Sequence, residues 1–350
     1  VLRRLGRWIG YALALLTGFG LLARYVSPDI IWPPAIVALL LPGLLLVTGL
    51  FLAYQLYRRR WAAAALPGLV MIIALPTLSK LFAVALGGAA EPSADAESLT
   101  VVTANVRGFK DDAWKSLPES TVRNSIEAFG ADLLLLQEAG RPRGAASRSE
   151  AVKVAGDYAS RLHPQEKTLA TFGNHPMETV AIHFEGYNGF TVTDHRTPVG
   201  KLRVINVHLQ SNRITRMAGE LRQDSTIEAG ANRLQAMFRS YGNAARTRAR
   251  QAAEILAYVE ESPHPVIVAG DFNDVPSSYT YQRIRTPRLQ DAWVERGFGL
   301  GTTFTGPLPG LRIDFVLADT SLSVRSIERL SEGYSDHRPL KVVLEKAGDE

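Results

Sequence analysis

The chain has 350 residues, 46% of them hydrophobic and 21% charged, with a formal charge of +5 and no cysteine. That composition excludes a disordered, collagenous or disulfide-stapled protein, and the lack of cysteine also excludes thiolate metal sites and thiol nucleophiles. The charge is unevenly placed: residues 1–90 hold eight basic residues and one acid, Asp29, which leaves 31 basic and 33 acidic residues after them and a net charge of −2. The larger part therefore lacks the broad positive field that nucleic-acid binding usually shows.

In chain order, the first elements are three uncharged runs, Trp8–Ala23, Ile30–Tyr57 and Trp61–Ser79. Crossing about 30 Å of hydrocarbon takes roughly 20 apolar residues. The runs predict transmembrane helices at about 8–24, 33–56 and 61–81 within a membrane region 1–86, with Arg7 and Arg24 extending toward the interfaces at the ends of the shortest run. Trp8, Tyr11, Tyr25, Trp32, Tyr54, Tyr57 and Trp61 fall near the proposed ends, as an aromatic belt requires. Buried core helices and a cleaved signal peptide fit less well, since three charge-free runs follow one another and no small-residue cleavage site precedes the later ones. Arg3, Arg4 and Arg7 precede the first run and Arg58–Arg60 separate the second from the third, whereas Arg24 and Asp29 alone lie between the first two. Basic loops stay in the cytoplasm, so three spans place everything after Leu86 on the extracytoplasmic face. GGAAEPSADAES, residues 87–98, reads as a linker.

From Leu99 to about 346, apolar runs of strand length alternate with amphipathic stretches. Strands are predicted at 99–106, 132–138, 179–184, 202–209, 265–272, 312–318 and 339–345, and helices at 118–130 and roughly 214–261, the latter interrupted near Gly242. This content gives a layered α/β domain with no internal repeat. Asn105, Glu138, His208, Asp271, Asn273, Asp314, Asp336 and His337 each sit in or just after a strand-like run. Strand ends on one edge of a sheet converge, so such residues can line one cleft, where buried carboxylates and histidines need partners or a metal. Each residue alone also has a plain structural reading, as a turn former, a solvated strand end or a satisfied core histidine. The ordered set is harder to explain that way.

TANVRG, LLLLQE, NVHL, GDFND, RIDFV and SDHRPL, in this order, resemble the endonuclease/exonuclease/phosphatase superfamily, which includes DNase I, abasic-site endonucleases, bacterial sphingomyelinases and inositol-polyphosphate phosphatases. The resemblance spans about Leu99 to Leu344. It implies a four-layered α/β/β/α sandwich, an α+β arrangement of two sheets between helices, and the N-terminal block resembles that of membrane-tethered bacterial members with three spans. Glu138 then matches the principal metal-binding carboxylate with Asn105 beside it and Asp336 close by. Asp271 matches the group that activates water, Asn273 and His337 match donors to phosphoryl oxygens, Asp314 orients His337, and His208 lies near the scissile phosphate. All-oxygen ligation favours Mg²⁺, or Mn²⁺, over zinc. GNHPMETV departs from the family pattern and leaves the carboxylate partner of His208 open, with Glu178 as one choice. The arginines at 213, 216, 222, 233, 239, 246, 248 and 250 are either a solvated helix face or contacts to phosphates or headgroups.

The expected function is a membrane-anchored, multi-pass, divalent-metal-dependent hydrolase of phosphate esters outside the cytoplasm, with a lipid or polyprenyl phosphate as substrate and the bilayer as partner. Two alternatives are a surface nuclease acting on extracellular nucleic acid, which the charge disfavours, and a catalytically inactive membrane binding protein. Oligomeric state has no signal in the sequence.

Overall fold

The computed structural model describes residues 2–85, 97–140, 155, 157–164, 167–211, 227–306 and 310–347. Most of the 87–98 segment expected to be a linker, and the arginines at 213, 216 and 222, lie outside the described residues. The chain divides into two compact units. One contains residues 1–82, 212–250 and 274–283, the other residues 83–211, 251–273 and 284–350.

The first unit is built on helices α1 (Leu2–Leu21), α2 (Pro33–Ala38), α3 (Leu41–Tyr57) and α4 (Trp61–Leu81). The single helix expected at 33–56 is two. Pro42 lacks an N–H and its ring collides with the carbonyl four residues earlier, at Ala38, so the backbone turns at Leu39–Leu40 and restarts with Pro42 in the first turn. As a result Gly6–Arg24 and Trp61–Leu81 are long and apolar enough to cross a membrane, whereas Leu41–Tyr57 is a shorter apolar helix. Of the three expected spans, two are helices of that length, and the place of the third is taken by this shorter apolar helix. Burial in the bundle runs opposite to a soluble core. Ala14, Ala38, Ala64 and Ala74 are sealed together with a few leucines such as Leu41 and Leu45, while Leu15, Leu46, Leu50, Ile72 and Leu75 are each at least 60% exposed. Inside, Thr17 and Thr48 share a hydrogen bond of 2.9 Å.

Two later segments join this unit. Tyr241 donates to Ala35 O, Ser277 Oγ to Ala38 O, and Arg24 and Lys80 both reach Gln282 Oε1. The expected break near Gly242 does not occur: Ile227–Glu260 is one helix. A Cβ at Gly242 would stand 2.7 Å from the Trp32 ring, so this glycine serves a close approach and leaves the helix intact.

In the second unit two six-stranded sheets stack. The strands, in chain order, are β1 (Ala83–Val84), β2 (Ser98–Asn105), β3 (Leu133–Gln137), β4 (Ser160–Leu162), β5 (Ala170–Gly173), β6 (Met177–Glu185), β7 (Asn188–Thr197), β8 (Gly200–His208), β9 (Val266–Asp271), β10 (Leu289–Asp291), β11 (Phe298–Gly299), β12 (Asp314–Asp319), β13 (Leu322–Arg329) and β14 (Leu340–Lys346). One sheet has the order β13-β14-β2-β3-β5-β4 and the other β10-β12-β9-β8-β7-β6, and β1 pairs with β11. The core between them takes alternate residues from both: Leu99, Val101, Leu133, Leu135 and Val342 from one sheet, Leu202, Val204, Ile267, Ala269 and Val316 from the other. The opposite face of the first sheet, through Val102, Leu134 and Leu136, packs on Val122, Ile126 and Phe129 of helix α5 (Glu119–Phe129). On the second sheet, Tyr258, near the end of the long helix, bonds His183 of β6 at 2.8 Å and packs against Phe190 of β7. This is the expected mixed α/β sandwich, helices outside and sheets within.

Gly270, at the end of β9, has φ +139°, and a Cβ there would stand 2.0 Å from Val207 O on β8. Gly270→Ala is expected to cost about 3 kcal/mol or more from strain and overlap combined. Thermal unfolding followed by circular dichroism should then fall by roughly 6–12 °C, and an unchanged midpoint would contradict this backbone geometry.

Candidate active site

Strand parity builds the site. On β2, β3, β8, β9 and β12 the residues that enter the inter-sheet core are 99 and 101, 133 and 135, 202 and 204, 267 and 269, and 316 and 318. Side chains two apart share a face, so Asn105, Gln137, His208, Asp271 and Asp314 continue the same inward rows. Register then lines them up: Asn105 is opposite Gln137, His208 opposite Asp271, and Asp271 opposite Asp314. Five inward rows thus change from apolar to polar at one end of the sandwich.

The contacts there are dense. Asn105 Nδ2 donates to Glu138 Oε1 at 3.2 Å and to Asp271 Oδ2 at 3.1 Å. His208 Nε2 stands 3.8 Å from Glu138 Oε1 and 3.7 Å from Asp271 Oδ2. His337 Nδ1 meets Asp314 Oδ2 at 2.9 Å and turns Nε2 toward Asp271 Oδ2, 3.9 Å away. Asn273 donates its backbone N–H to Asp271 Oδ1 at 2.8 Å and its amide to Leu209 O at 2.9 Å and Asp271 Oδ2 at 3.3 Å. Seven of the eight predicted site residues are therefore linked through named contacts. Asp336 is half-buried beside His337, and its carbonyl accepts from Thr305 N and Oγ1.

Some expectations change in detail. Asn105 meets both carboxylates with its N–H₂ and uses Oδ1 to accept from Arg107 N. Asn273 holds Asp271 in place, so donation to a phosphoryl oxygen would draw on the longer, 3.3 Å contact. Glu178 does not serve His208. It pairs in register with Asp194, five residues along β7 from Gly189, the residue opposite His208. His208 faces Glu138 and Asp271 instead. Of the arginine-rich stretch, Arg248 is fully buried and bonds Asp274 at 3.0 Å, which makes it a structural ion pair.

Several supporting residues escaped the sequence reading. Ser335 Oγ donates to Asn105 O and accepts from His337 N, tying the two sides of the cleft together. Thr303 Oγ1 accepts from Ile313 N and Asp314 N. Below the site Gln137 Nε2 donates to Asn206 Oδ1 at 2.8 Å, a bridge between the sheets. Ser335, Gln137 and Asn206 all lie inside the quoted motifs, but a hydroxyl or amide beside a carboxylate has no spacing signature of its own. Backbone strain gathers here too: Arg107, Phe109, Glu138 and Asn273 all have φ near +50°. Non-glycine residues persist there only when the surroundings hold them. Glu138 is fixed by its own carbonyl, which accepts from Gly108 N, and by Ala139 N donating to Thr168 O.

The electrostatics follow from burial and pairing. Burial raises Asp271 to about 6 against the lowering effect of His337, with Asp314 raising it further. His337 is pushed up to about 10: burial alone would depress it, but Asp314 and Asp271 outweigh that. Near neutrality the imidazole is a cation bound to Asp314.

Asp271, Asp314 and His337 bring ligand-capable atoms within 4.8 Å of one another. His337 spends Nδ1 on Asp314 and turns Nε2 toward Asp271, so we read this trio as a histidine-carboxylate pair facing a third carboxylate. The side that fits a cation is the one with Glu138. Two carboxylates, Glu138 and Asp271, converge on one amide and one imidazole, and among the described residues no lysine or arginine pairs with either. Hard oxygen donors with surplus negative charge suit Mg²⁺ or Mn²⁺.

The family model described as Endonuclease/Exonuclease/phosphatase family matches residues 102–337. The chain belongs to the endonuclease/exonuclease/phosphatase family. Members of this family are hydrolases of phosphate ester bonds, nucleases and phosphatases among them, and generally use divalent metals. A second model, described only as a domain of unknown function, matches residues 3–81. Among solved structures, an endonuclease/exonuclease/phosphatase from Beutenbergia cavernae is similar at 18% identity and a TM-score of 0.50, covering 72% of each chain. One from Bacteroides vulgatus aligns at 17% identity and a TM-score of 0.48, covering 71% of this chain and 99% of its own. A humanized D. rerio TDP2 aligns at 16% identity with the same score and coverage. The first of these likenesses is one of fold. A search of curated proteins finds no match.

Proposed function

We propose that the protein is a membrane-anchored, divalent-cation-dependent phosphoesterase whose catalytic domain works outside the cytoplasm on a lipid or polyprenyl phosphate. The observation that carries the catalytic part is the convergence of Glu138, Asn105, His208, Asp271, Asp314 and His337 at one end of the sandwich. Glu138, braced by Asn105, would hold the cation on the side that Asp271 also faces, with Asp336 beside His337 as a further carboxylate. When bound, it supplies positive charge to the phosphoryl and leaving oxygens. Asp271, fixed by Asn273 and Asn105, orients a water and takes its proton as the water attacks phosphorus. His337, kept charged by Asp314, donates from Nε2 to an equatorial phosphoryl oxygen, where negative charge grows. The bond from phosphorus to the ester oxygen breaks as the water adds, and the leaving group departs as an alcohol once its oxygen takes a proton from solvent. His208, on the neighbouring strand, is a second donor beside it.

The anchoring part rests on the bundle in the first unit, where large apolar side chains face outward and small ones inward. That is the pattern of helices packed in lipid. Arg7 and Arg24 stand 17 positions apart along helix, roughly 25 Å at about 1.5 Å per residue, close to a bilayer core. A domain of net charge −2 beside a bilayer favours a lipid phosphate over nucleic acid. The test is turnover of the full chain in detergent with Mg²⁺ against lipid phosphates, plasmid DNA and bis-p-nitrophenyl phosphate. Cleavage of DNA with no action on lipid phosphates would replace this substrate class.

Orientation is tested separately. Alkaline phosphatase fused after Glu97 should be strongly active, because the two arginine clusters hold the opposite ends of the helices in the cytoplasm. A bright cytoplasm-only fluorescent reporter at the same site would reverse the orientation.

A further inference from the structure

We infer that the first unit holds a phospholipid headgroup at the arginine end of its helices, in a cavity separate from the candidate active site; this rests on the membrane reading above. The cavity measures about 730 Å³ and is lined by Arg7, Tyr54, Gln55, Arg60, Trp61 and Ala62, among others. Its floor is the N-terminus of α4. The residue that caps this helix, Arg60, offers no side-chain bond to the first turn, and its carbonyl takes Ala63 N and Ala64 N, so the positive end of the helix dipole lies at the cavity without a side-chain cap. A left-handed turn at Arg59, φ +52°, reverses the chain here, and Arg60 N donates to Gln55 O.

Gln55 supplies the second, independent observation. It is 3% exposed, lines the cavity, and its Oε1 has no hydrogen-bond partner among the described residues. A buried amide oxygen left without a donor is costly. No acid is near in sequence either: Asp29, the single acid of residues 1–90, lies in the loop after the opposite end of α1. Arg7 and Arg60 make no ion pair among the described residues. Two guanidinium groups and a helix N-terminus select a phosphate, and the amide oxygen asks for a hydroxyl or ammonium beside it. A phosphatidylglycerol headgroup, with its phosphate and free hydroxyls, carries both.

The adjoining surface suits the rest of such a molecule. An apolar groove of about 550 Å³ runs between α3 and α4 past Leu56, Ala64, Gly68 and Ile72, and Trp61 lines both spaces. Phosphate at the arginines with acyl chain along the groove places a lipid in its normal orientation to a bilayer. A free phosphate ion would share the polar contacts and leave the groove unused.

The experiment uses the full chain, extracted from carbonate-washed membranes into mild detergent and examined by native mass spectrometry with added phosphatidylglycerol, phosphatidylcholine or inorganic phosphate. Recovery in the washed membranes tests the membrane reading by itself. Wild type should retain one phosphatidylglycerol in preference to phosphatidylcholine, whose headgroup lacks a donor for Gln55. The double variant R7Q/R60Q should bind it about tenfold or more weakly, through loss of charge-assisted bonds. Gln55→Met, which keeps the bulk and removes the acceptor, should erase the preference over phosphatidylcholine. A membrane-integral protein that retains no lipid, variants that bind like wild type, or displacement by millimolar inorganic phosphate would each overturn the headgroup assignment.

Discussion

Asp271→Asn is expected to lower kcat by roughly 10² to 10⁴ with a much smaller change in KM, since general-base assistance acts mainly in the transition state. The side chain is 1% exposed and held by Asn105 Nδ2, Asn273 N and Asn273 Nδ2, so the near-isosteric amide keeps the packing while losing the basic oxygen. The pH profile makes the result specific. Asp271, raised to about 6, must lose its proton to accept one from water, so turnover rises with pH through that value. It holds until His337 loses its proton near 10 and then falls. In folded Asp271→Asn the acidic limb should vanish along with most of the rate. Wild-type turnover in that variant would remove the water-activating role.

Asp314→Ala and His337→Ala should each reduce kcat by about 10² to 10³, the usual effect of removing one donor to developing charge. The double variant should lose little more than either alone, because Asp314 acts through the imidazole it holds at 2.9 Å. Without the carboxylate the buried imidazole loses the partner that keeps it charged, so Asp314→Ala should also move the alkaline limb of the profile to lower pH. Fully additive kinetic losses, or an alkaline limb that stays in place, would contradict the pairing.

The endonuclease/exonuclease/phosphatase domain was legible in the sequence largely because its polar residues interrupt strongly apolar strands. LLLLQE and PVIVAGDF change character where the strands leave the core, and the parity of those strands turns Asp271 and Asp314 inward. The predicted strands at 99–106, 132–138, 179–184, 202–209, 265–272, 312–318 and 339–345 correspond to β2, β3, β6, β8, β9, β12 and β14. Three of those not predicted, β4, β5 and β7, had weaker signals. β4 and β5 are only three and four residues long, and β7, NGFTVTDHRT, mixes buried threonines and a histidine among few large apolar residues. Hydrophobic pattern cannot recover a strand whose buried positions are polar.

Errors in the N-terminal region have a different origin. Absence of charge over Ile30–Tyr57 hid three prolines, and an apolar run is not a continuous helix when Pro42 removes a backbone donor at its middle. Gly242 misled in the opposite direction. Taken as a helix breaker, it is the residue that lets the long helix approach Trp32. Both cases turn on packing or sterics that composition does not record. The relation of Ser335 to Asn105 and His337 is likewise a product of the fold, joining residues 230 apart.

The most direct test of a cation-dependent phosphoesterase centred on Glu138 is a Mg²⁺ titration of bis-p-nitrophenyl phosphate hydrolysis by the full chain, wild type against Glu138→Ala. Chelator-treated wild type should be inactive and regain turnover on adding Mg²⁺, while folded Glu138→Ala should need far more cation and reach a rate at least about 10² lower, having lost a hard oxygen ligand. Hydrolysis by wild type that is indifferent to chelation, or a Glu138→Ala titration that overlays it, would contradict the account.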